Sequence, residues 1–563
     1  MNILNKIKND IAKSLNIALN VKLVKAQDIV YPPNAEMGDL SLPCFDQQVF
    51  GDDLSKLTAI VNGLDFVKGV SLAGKFMNIS LDKEYIIKKI CSEIIKDKKK
   101  YGRNKSGKKK RTMIEFTNAN THKQYHVGHV RNLCFGDSIT KILNANGYKT
   151  FPVSYINDFG THVAKTLWAL DEFYKDEEIP ENKGEFLGEV YARASKELEE
   201  NKLGKQMVEG MMKKIEARKG KEYEKWQETR QWTIEQSEQI YRKMNVALEH
   251  IFYESEFIDE GRAIVNKLIK KRILRESQGA VIADLEKYDL GVQVVLRSDG
   301  TATYIVADLA LAQAKFEKYK LDTSIYITDN RQSLHFKQMF KILELIGYKQ
   351  KLVHLTHDFV KLPGGMIASR TGNIITFEEL YQALFEKIIT ETTKRHDDWE
   401  EERIKVVAHI LSVATIKFEM NKIGADQVIT FDIKKALSFQ GYTAAYLLYT
   451  YARIKSIFKK SGLKDDIKKI NSKLLREAME YRLIFKLAKY PEVVARAGAE
   501  YKPSEIARYL FELAQNFNDY YHQISVLKAE EEIKLARLGL LLSVAQVLEN
   551  GFGLLGIETV EEM

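Results

Sequence analysis

Two histidines that stand three residues apart mark the segment of this chain best suited to phosphate chemistry. They are His126 and His129, with Gly128 between them; a β-prone run (112–116) precedes them and a helical pattern (130–146) follows. N–H groups at a helix start favour phosphate, a glycine lets a nucleotide approach the backbone, and imidazoles can donate to phosphate oxygens. The spacing therefore predicts a phosphate site, with surface histidines as an equally open interpretation.

A second segment that could handle phosphate lies far downstream, at residues 368–373. It carries Ser369, Arg370 and Gly372, so it combines a hydroxyl, a cation and a flexible backbone position. Two such segments so distant in sequence predict one nucleotide site that is closed from two sides.

Composition limits the class of protein. The 563 residues predict three or four domains, and the 45% hydrophobic content is ordinary for a globular protein. A formal net charge of +9 is compatible with a polyanionic partner. Cys44, Cys91 and Cys134 form no CxxC pair, so we expect neither disulfides nor structural zinc. No signal-peptide run or long uncharged apolar stretch occurs, which predicts a cytoplasmic protein without membrane association.

The pattern along the chain predicts an α/β protein in five parts. Residues 1–95 form a small α+β domain, 96–111 a basic linker, and 112–360 a mostly parallel-sheet domain with a Lys/Glu-rich helical insertion at about 180–250. Residues 361–430 hold the second phosphate segment and connecting helices, and 431–563 form an all-α domain. The expected strands of the sheet are 112–116, 151–156, 281–284, 293–297 and 324–328. A nucleic-acid contact is the alternative for the basic run.

Several segments in a fixed order resemble the class I aminoacyl-tRNA synthetases, and specifically the arginyl-tRNA synthetase family. These segments are 115–129, 155–160, 297–304, 331–338, 369–373 and 441–449. The resemblance covers nearly the whole chain, and its ordered combination is far more specific than any one segment. It implies a Rossmann-like catalytic domain with HIGH and KMSKS motifs, preceded by a tRNA-contacting α+β domain and followed by a helical-bundle anticodon-binding domain.

The resemblance implies the nucleotide-binding residues. His126, Gly128 and His129 match HIGH, and Ser369 and Arg370 belong to the segment that stands in the place of KMSKS. All five are expected to contact ATP.

The KMSKS-like segment departs from the family pattern, because Met366 replaces its usual first lysine. The chemistry still needs a cation to neutralise the charge that grows on pyrophosphate. Lys123 matches the lysine that compensates in this family, and Arg370 is a second candidate. An exposed loop lysine is the alternative for Lys123.

An arginine pocket is predicted around a helix face. A guanidinium carries five donors in a fixed fork, so it needs a planar array of acceptors. Tyr304 and Asp308 are four residues apart on a predicted helix, and Glu115 ends a predicted strand. These three match the family's guanidinium-binding positions, while Asn120 and Gln332 match positions that hold the α-amino and carboxylate ends. A helix face with a solvent-facing acid is the alternative for the first pair.

The resemblance also implies the reaction and its partners. L-Arginine is activated by ATP, with Mg²⁺ bridging phosphate oxygens, and the arginyl group passes to the 3′-terminal adenosine of tRNA(Arg). The family's usual form is a monomer that needs bound tRNA before activation, and no DNA partner is expected. The expected tRNA contacts are Phe76, Asn78, Tyr446, Tyr449 and Met563. Either the tyrosines or Phe76 could instead be core residues, and Ala73 replaces a polar family residue beside Phe76.

Three alternatives remain open from the sequence. A HIGH-bearing nucleotidyltransferase that activates a small acid without RNA would explain the phosphate segments but neither terminal domain. A non-catalytic tRNA-binding relative would be consistent with the altered segment at Met366. Another class I amino-acid specificity is the nearest alternative.

Overall fold

The amino-terminal domain combines four described helices with a small antiparallel sheet. The computed structural model describes residues 2–51, 54–363, 365–366, 375–463 and 470–563. In this domain β3 pairs with both β1 and β2. Its elements are α1 (Ile3–Leu19), β1 (Leu40–Pro43), α2 (Gln47–Phe50), α3 (Ser55–Asn62), β2 (Val67–Ala73), β3 (Phe76–Leu81) and α4 (Lys83–Asp97). The helix predicted from amphipathic spacing is α1, whose apolar residues face the core.

A five-stranded parallel sheet forms the centre of the next domain, in the order β11-β10-β4-β5-β6. Its strands are β4 (Arg111–Glu115), β5 (Lys149–Ile156), β6 (His250–Tyr253), β10 (Thr323–Asp329) and β11 (Lys351–His357). The chain moves from β4 outward to β5 and β6, then returns on the other side through β10 to β11. The strand order therefore reverses between β4 and β10, and ligands of such sheets bind at the carboxyl ends beside that point.

Helices cover this sheet and also build the predicted insertion. The covering helices are α5 (Val127–Ala145), α6 (Thr161–Phe173), α10 (Ile258–Lys270), α11 (Tyr304–Tyr319) and α12 (Ser333–Ile346). The insertion consists of α7 (Lys183–Glu197), α8 (Lys202–Glu216) and α9 (Lys221–Lys243). These three pack with α6 around a separate apolar cluster that includes Trp168 and Trp226.

Two strands that the sequence assigned to the main sheet lie elsewhere. A separate antiparallel sheet contains β7 (Arg275–Ser277), β8 (Ala280–Asp284) and β9 (Val292–Leu296). The prediction was wrong because β8 and β9 are joined by a short connection, which favours an antiparallel pair over insertion into a parallel sheet. The sheet instead contains β6 and β11, which the sequence did not predict, and the four residues of β6 are too few to give a strong periodic signal.

The rest of the chain is almost entirely helical. Two short ladders come first, formed by β12 (Val360–Leu362), β13 (Gly365–Met366) and β14 (Ile429–Thr430). The helices are α13 (Phe377–Arg395), α14 (Glu401–Asn421), α15 (Ile433–Ala436), α16 (Ala444–Ser461), α17 (Ala478–Glu500), α18 (Pro503–Gln523) and α19 (Glu531–Leu554). Within the described ranges, no helix has the length and hydropathy that a membrane crossing requires.

The basic run predicted as a solvated linker has a packed backbone and exposed side chains. Tyr101 is buried, stacks on Tyr490 at a ring-centroid distance of 6.1 Å, and donates its hydroxyl to the Leu487 carbonyl at 3.0 Å. The backbone N–H of Gly107 donates to the Asn146 carbonyl at 2.8 Å. The run therefore joins the amino-terminal domain to both the parallel sheet and the helical domain.

Candidate active site

The two histidines lie at the start of α5, beside the carboxyl end of β4. His126 is the N-cap residue, and its Nδ1 accepts from the Gly128 N–H at 3.1 Å. His129 Nδ1 accepts from the His126 N–H at 3.3 Å, and the two rings stack with centroids 3.9 Å apart. Because Nδ1 is an acceptor in both rings, each neutral imidazole carries its proton on Nε2. Two N–H donors therefore stand together at the helix start, as the spacing predicted.

Both imidazoles are neutral near pH 7. Burial lowers the pKa of His126 to about 4, with a further contribution from the positive charge of Lys123. Burial also lowers the pKa of His129 well below its usual value, with smaller contributions from His126 and Lys123. The pair can therefore donate hydrogen bonds to phosphate without titrating in the physiological range.

Residues 375–377, which follow the downstream segment, contact the start of α5. Thr376 forms an isolated bridge with His126, and the Val127 N–H donates to the Ile375 carbonyl at 3.1 Å. The Phe377 N–H donates to the Tyr125 carbonyl at 2.8 Å. The chain that follows the KMSKS-like segment is thus fixed against the HIGH-like segment. Ser369 and Arg370 themselves lie outside the described residues.

Lys123 contacts the helical insertion. Its ammonium lies 5.0 Å from the ring centroid of Tyr191, which is a half-buried residue of α7. The helix can approach so closely because Gly188 has no side chain: a Cβ there would lie 2.8 Å from the backbone nitrogen of Gln124. Sequence analysis missed Tyr191, which links Lys123 to the helical insertion.

A second helix of the insertion holds the loop before α5. His122 is fully buried with a left-handed backbone (φ 59°), and its Nε2 lies 2.8 Å from the Thr229 hydroxyl of α9. The His122 N–H donates to the Thr233 hydroxyl at 3.2 Å. Burial lowers the pKa of His122 to about 3, so the ring acts as a neutral structural link.

Asp308 lies on the first turns of α11, near Tyr304 at the helix start. The His335 Nε2 is 2.7 Å from an Asp308 carboxylate oxygen, and the Asp308 side chain is largely buried. Burial acts to lower the pKa of His335, but the hydrogen bond and charge of Asp308 outweigh it, so that pKa is raised. Tyr304 is 63% exposed, which leaves its side chain accessible at the mouth of the pocket.

Glu254 is a third acid of this pocket and was missed by sequence analysis. It follows β6 directly, it is 7% exposed, and its Oε2 is buried without a hydrogen-bond partner. Burial raises its pKa to about 9, with help from the charges of Asp308 and Asp158. A buried carboxyl that lacks a partner beside another acid is a site where a cation would gain most.

Neighbouring side chains hold Glu254 in place. Asp158 follows β5, and its carboxylate accepts from the Ser255 N–H at 2.9 Å and from the Ser255 hydroxyl at 2.7 Å. Arg230 of α9 also donates to Asp158, at 2.5 Å. Tyr155 of β5 lies among the same charges, because Asp308, Glu254 and Glu115 all contribute to raising its pKa, after burial.

The structure commits Glu115 to partners within the protein. Its Oε2 pairs with Lys315, which is fully buried on α11, and its Oε1 accepts from Asn118 at 3.1 Å. Asn120 is half-buried and forms an isolated parallel bridge with Asn157 after β5. Gln332 is exposed on the turn after β10. All three lie at or just beyond the carboxyl ends of neighbouring strands, but Glu115 is already neutralised.

The predicted anticodon contacts lie on the helical domain. Tyr446 is half-buried, and its hydroxyl accepts from Asn518 at 2.9 Å. Tyr449 is 37% exposed, with the Arg453 guanidinium 4.8 Å from its ring centroid. Met563 lines a cavity of about 230 Å³ together with Phe439. An exposed Tyr449 is available for base stacking.

The two tRNA contacts predicted in the amino-terminal domain differ in exposure. Phe76 is 40% exposed and meets Phe45 edge to face at 5.0 Å, so an aromatic pair faces solvent. Asn78 is 5% exposed, and its Oδ1 accepts from the Ser41 hydroxyl at 2.7 Å. The structure therefore brings Phe76 to the surface together with Phe45, whereas Asn78 lies beneath it.

Comparison with known proteins gives one consistent family. The family model for the catalytic domain of tRNA synthetases class I (R) matches residues 90–428, and that for the DALR anticodon binding domain matches residues 447–563. The chain is 34% identical to an arginine–tRNA ligase of Bdellovibrio bacteriovorus over 95% of this chain and 94% of that protein. It is 30% identical to one from Halothermothrix orenii, over 99% of both chains.

Solved structures show the same fold. An arginyl-tRNA synthetase of Thermus thermophilus superposes with a TM-score of 0.81 at 23% identity, over 100% of this chain and 99% of that one. The arginyl-tRNA synthetase of Plasmodium falciparum gives 0.79 at 20% identity, over 100% of both. With the histidine pair and the anticodon binding domain in their expected places, the chain belongs to the arginine-specific family of class I tRNA synthetases.

Proposed function

We propose that this chain ligates L-arginine to tRNA(Arg), using ATP to form arginyl-adenylate and then transferring arginine to the 3′-terminal adenosine. The observation that carries the proposal is the pair of buried acids Asp308 and Glu254, near Tyr304, in a chain of this family that also has paired imidazoles at the start of α5. The imidazoles follow β4, beside the point where the strand order reverses, and Glu254 follows β6 at the same carboxyl end of the sheet.

The acids select a forked cation. We assign the guanidinium to Asp308 and Glu254, with Tyr304 closing over it from the pocket mouth. Two carboxylates and a phenol can accept from a planar fork of N–H donors, whereas a lysine ammonium is a compact charge that leaves acceptors unfilled. An unpaired buried carboxylate costs several kcal/mol, which disfavours lysine. Glu115 remains a prediction, because Lys315 and Asn118 already occupy its oxygens.

Adenylate formation needs positioning and charge stabilisation. The arginine carboxylate attacks the α-phosphorus of ATP in line, and pyrophosphate leaves; no side-chain nucleophile takes part. The Nε2–H groups of His126 and His129 donate to phosphate oxygens, and Gly128 leaves room for them. Lys123 neutralises the charge that develops on pyrophosphate.

Mg²⁺ belongs to the proposed nucleotide substrate. In the part of the chain that the structure describes, no group of three or more His, Cys, Asp or Glu side chains could hold a metal ion. We propose that the ion is held mainly by phosphate oxygens and water, since Mg²⁺ commonly uses few protein ligands. When bound, it would offset phosphate charge.

The proposed tRNA contacts are assigned from the exposure of the side chains. We propose that Tyr449 stacks on an anticodon base and that Phe76, with Phe45, contacts the tRNA corner. Tyr446 contributes through its edge and its hydroxyl, and Met563 through the adjoining cavity. We propose a monomer that acts in the cytoplasm.

Charging of a total tRNA pool with each labelled amino acid tests the proposed function. Arginine alone should be transferred, and only to its own tRNAs. Transfer of another amino acid would show a different specificity. Amino-acid-dependent pyrophosphate exchange with no transfer would indicate a nucleotidyltransferase, and tRNA binding with no exchange would indicate a non-catalytic relative.

A further inference from the structure

The basic run, residues 96–111, has no role in the reaction described above. Its exposed residues share one property. Every exposed residue of 96–111 is a lysine, an arginine or Ser106. The exposed cations are Lys96, Lys98, Lys99, Lys100, Arg103, Lys105, Lys108, Lys109 and Lys110. Lys99 pairs with Glu549 at 3.3 Å, and the structure gives the others no ion pair with any described residue.

The backbone of this run is held rigidly, so the cations are presented rather than loosely tethered. Asn550 donates to the carbonyls of Lys98 and Tyr101 at 3.0 and 3.2 Å, and Asn104 donates to the Asn146 side chain at 2.8 Å. Close packing also fixes Gly102, where a Cβ would lie 2.4 Å from the Tyr490 ring.

Two turns in the run keep lysines in the left-handed region of the backbone. Lys98 has φ 47°, Lys108 has φ 48° and Lys109 has φ 60°. This conformation is uncommon for residues other than glycine and is maintained only where the surroundings impose it. The fixed turns leave Lys108, Lys109 and Lys110 side by side on the surface.

The parallel sheet extends the charged surface. Arg111 opens β4 directly after the run and is paired in register with Lys149, which opens β5. Lys351 opens β11, and Lys320 precedes β10; Lys149, Lys320 and Lys351 are all exposed. Asp322 is an acid within this edge. We call these lysines, together with the cations of 96–111, the basic edge.

The basic edge lies at the opposite end of the sheet from the catalytic residues. It borders the amino ends of the strands and the C-terminal end of α5, whereas His126 caps the other end of that helix. A helix of 19 residues is about 28 Å long. This separation exceeds the Debye length of about 8 Å at physiological salt, so the basic edge does not act on the reacting phosphates.

We propose that the basic edge is a second RNA-binding surface, which holds the phosphodiester backbone of structured RNA without reading its sequence. Closely spaced cations on a fixed backbone, of which Lys99 has an ion pair and the other described ones of residues 96–110 have none, suit a regularly spaced row of phosphates. The run exposes no aromatic side chain that could stack on a base and no apolar side chain that could enter a lipid layer. Backbone contact with RNA therefore fits better than base recognition or membrane binding.

The test uses the full chain with Lys108→Gln, Lys109→Gln and Lys110→Gln combined. An RNA hairpin of unrelated sequence is titrated at several salt concentrations. The variant should bind it roughly tenfold more weakly, and the salt dependence of the logarithm of the binding constant should fall by about 2 to 3. The corresponding triple arginine variant keeps the charge and should bind like the parent.

Matched controls separate this surface from general charge and from the proposed ligase reaction. The exposed lysines Lys267 and Lys270 of α10 and Lys271 directly after it, changed together to glutamine, should leave hairpin binding unchanged. Arginine charging of tRNA by the Lys108–110 glutamine variant should keep its kcat and its KM for tRNA. The proposal is overturned by equal loss in the α10 variant, by unchanged hairpin binding, by a raised KM for tRNA, or by equally strong binding to anionic vesicles.

Discussion

We propose that arginine selectivity depends most on Asp308. It is largely buried, and His335 fixes its carboxylate through a 2.7 Å contact. Replacement with alanine removes one of the two carboxylates proposed to bind the guanidinium and leaves Glu254 as its only acidic partner. We expect Asp308→Ala to lower arginine-dependent pyrophosphate exchange at low arginine by at least about a hundredfold, which corresponds to roughly 2.7 kcal/mol.

Asp289→Asn is a matched control for this prediction. Asp289 is exposed in a left-handed turn (φ 57°), a conformation that asparagine tolerates. It should leave exchange unchanged. Near-normal exchange by Asp308→Ala at low arginine would remove Asp308 from the pocket.

The proposed role of Glu254 predicts a specific pH dependence of arginine binding. Its pKa of about 9 means that the carboxyl is protonated near neutral pH. A guanidinium favours the ionised form, so arginine binding releases this proton. Below the pKa that release opposes binding; the KM for arginine should therefore fall as pH rises from about 7 to 9, by up to about tenfold per pH unit, and then level off.

Glu254→Gln removes the titrating group while keeping its shape. Its KM for arginine should be higher than that of the parent and should depend on pH less steeply across the same range; His335, which contacts Asp308, keeps a raised pKa in both proteins. Two phenols, Tyr155 and Tyr304, also lie near Glu254. Their pKa values are raised above the usual value, so both stay protonated across this pH range. A parent profile that is flat, or a variant profile with the same slope, would contradict the assignment.

At the scale of elements, local sequence pattern predicted the strand and helix around His126, but it did not predict which distant residues pair. The spacing around His126 predicted a strand, a loop and a helix, which β4 and α5 confirm. The ion pair between Glu115 and Lys315 joins residues 200 positions apart, and no periodicity of the sequence predicts it. Glu254 was missed for a related reason: it follows a four-residue strand, and its value as an acid comes from Asp308 and Asp158 in the folded chain.

For the helical insertion, too, the sequence predicted local structure but not its contacts. Its Lys/Glu-rich pattern predicted helices but gave no sign of what they contact. The structure shows that α7 and α9 hold the loop before α5 through Tyr191, Thr229 and Thr233. The insertion therefore belongs to the wall of the site.

Tyr191 should position Lys123 for ATP. A cation over an aromatic ring is held by about 0.5 to 2 kcal/mol, depending on exposure. We expect Tyr191→Leu to raise the KM for ATP in pyrophosphate exchange by roughly threefold to tenfold, because the ammonium loses its preferred place.

Tyr191→Phe keeps the ring and should restore the parent KM for ATP. This comparison separates the ring from the hydroxyl, and a purely structural role would instead change both substrates' KM values together. If Tyr191→Leu leaves the KM for ATP unchanged, the ring does not position the lysine.

At the scale of the whole molecule, α5 connects the catalytic site to the helical domain. His126 lies at one end, and Asn146 lies just past the other. Asn146 Nδ2 donates to the Val494 carbonyl of α17 at 2.9 Å, and its Oδ1 accepts from Asn104 at 2.8 Å. One buried side chain therefore joins the sheet domain, the basic run and the helical domain.

Family resemblance predicts that pyrophosphate exchange requires bound tRNA, and Asn146 lies on the direct structural connection between the two sites. Asn146→Ala leaves the Val494 carbonyl without this donor and should destabilise the domain junction by about 1–3 kcal/mol. We expect a lower urea midpoint of unfolding and a weaker stimulation of exchange by tRNA, while the KM for arginine at saturating tRNA changes little. Asn144→Ala, at an exposed position on the same helix, should behave like the parent in both measurements. Full tRNA stimulation in a variant with a lowered urea midpoint would show that this junction supports the fold without carrying the coupling.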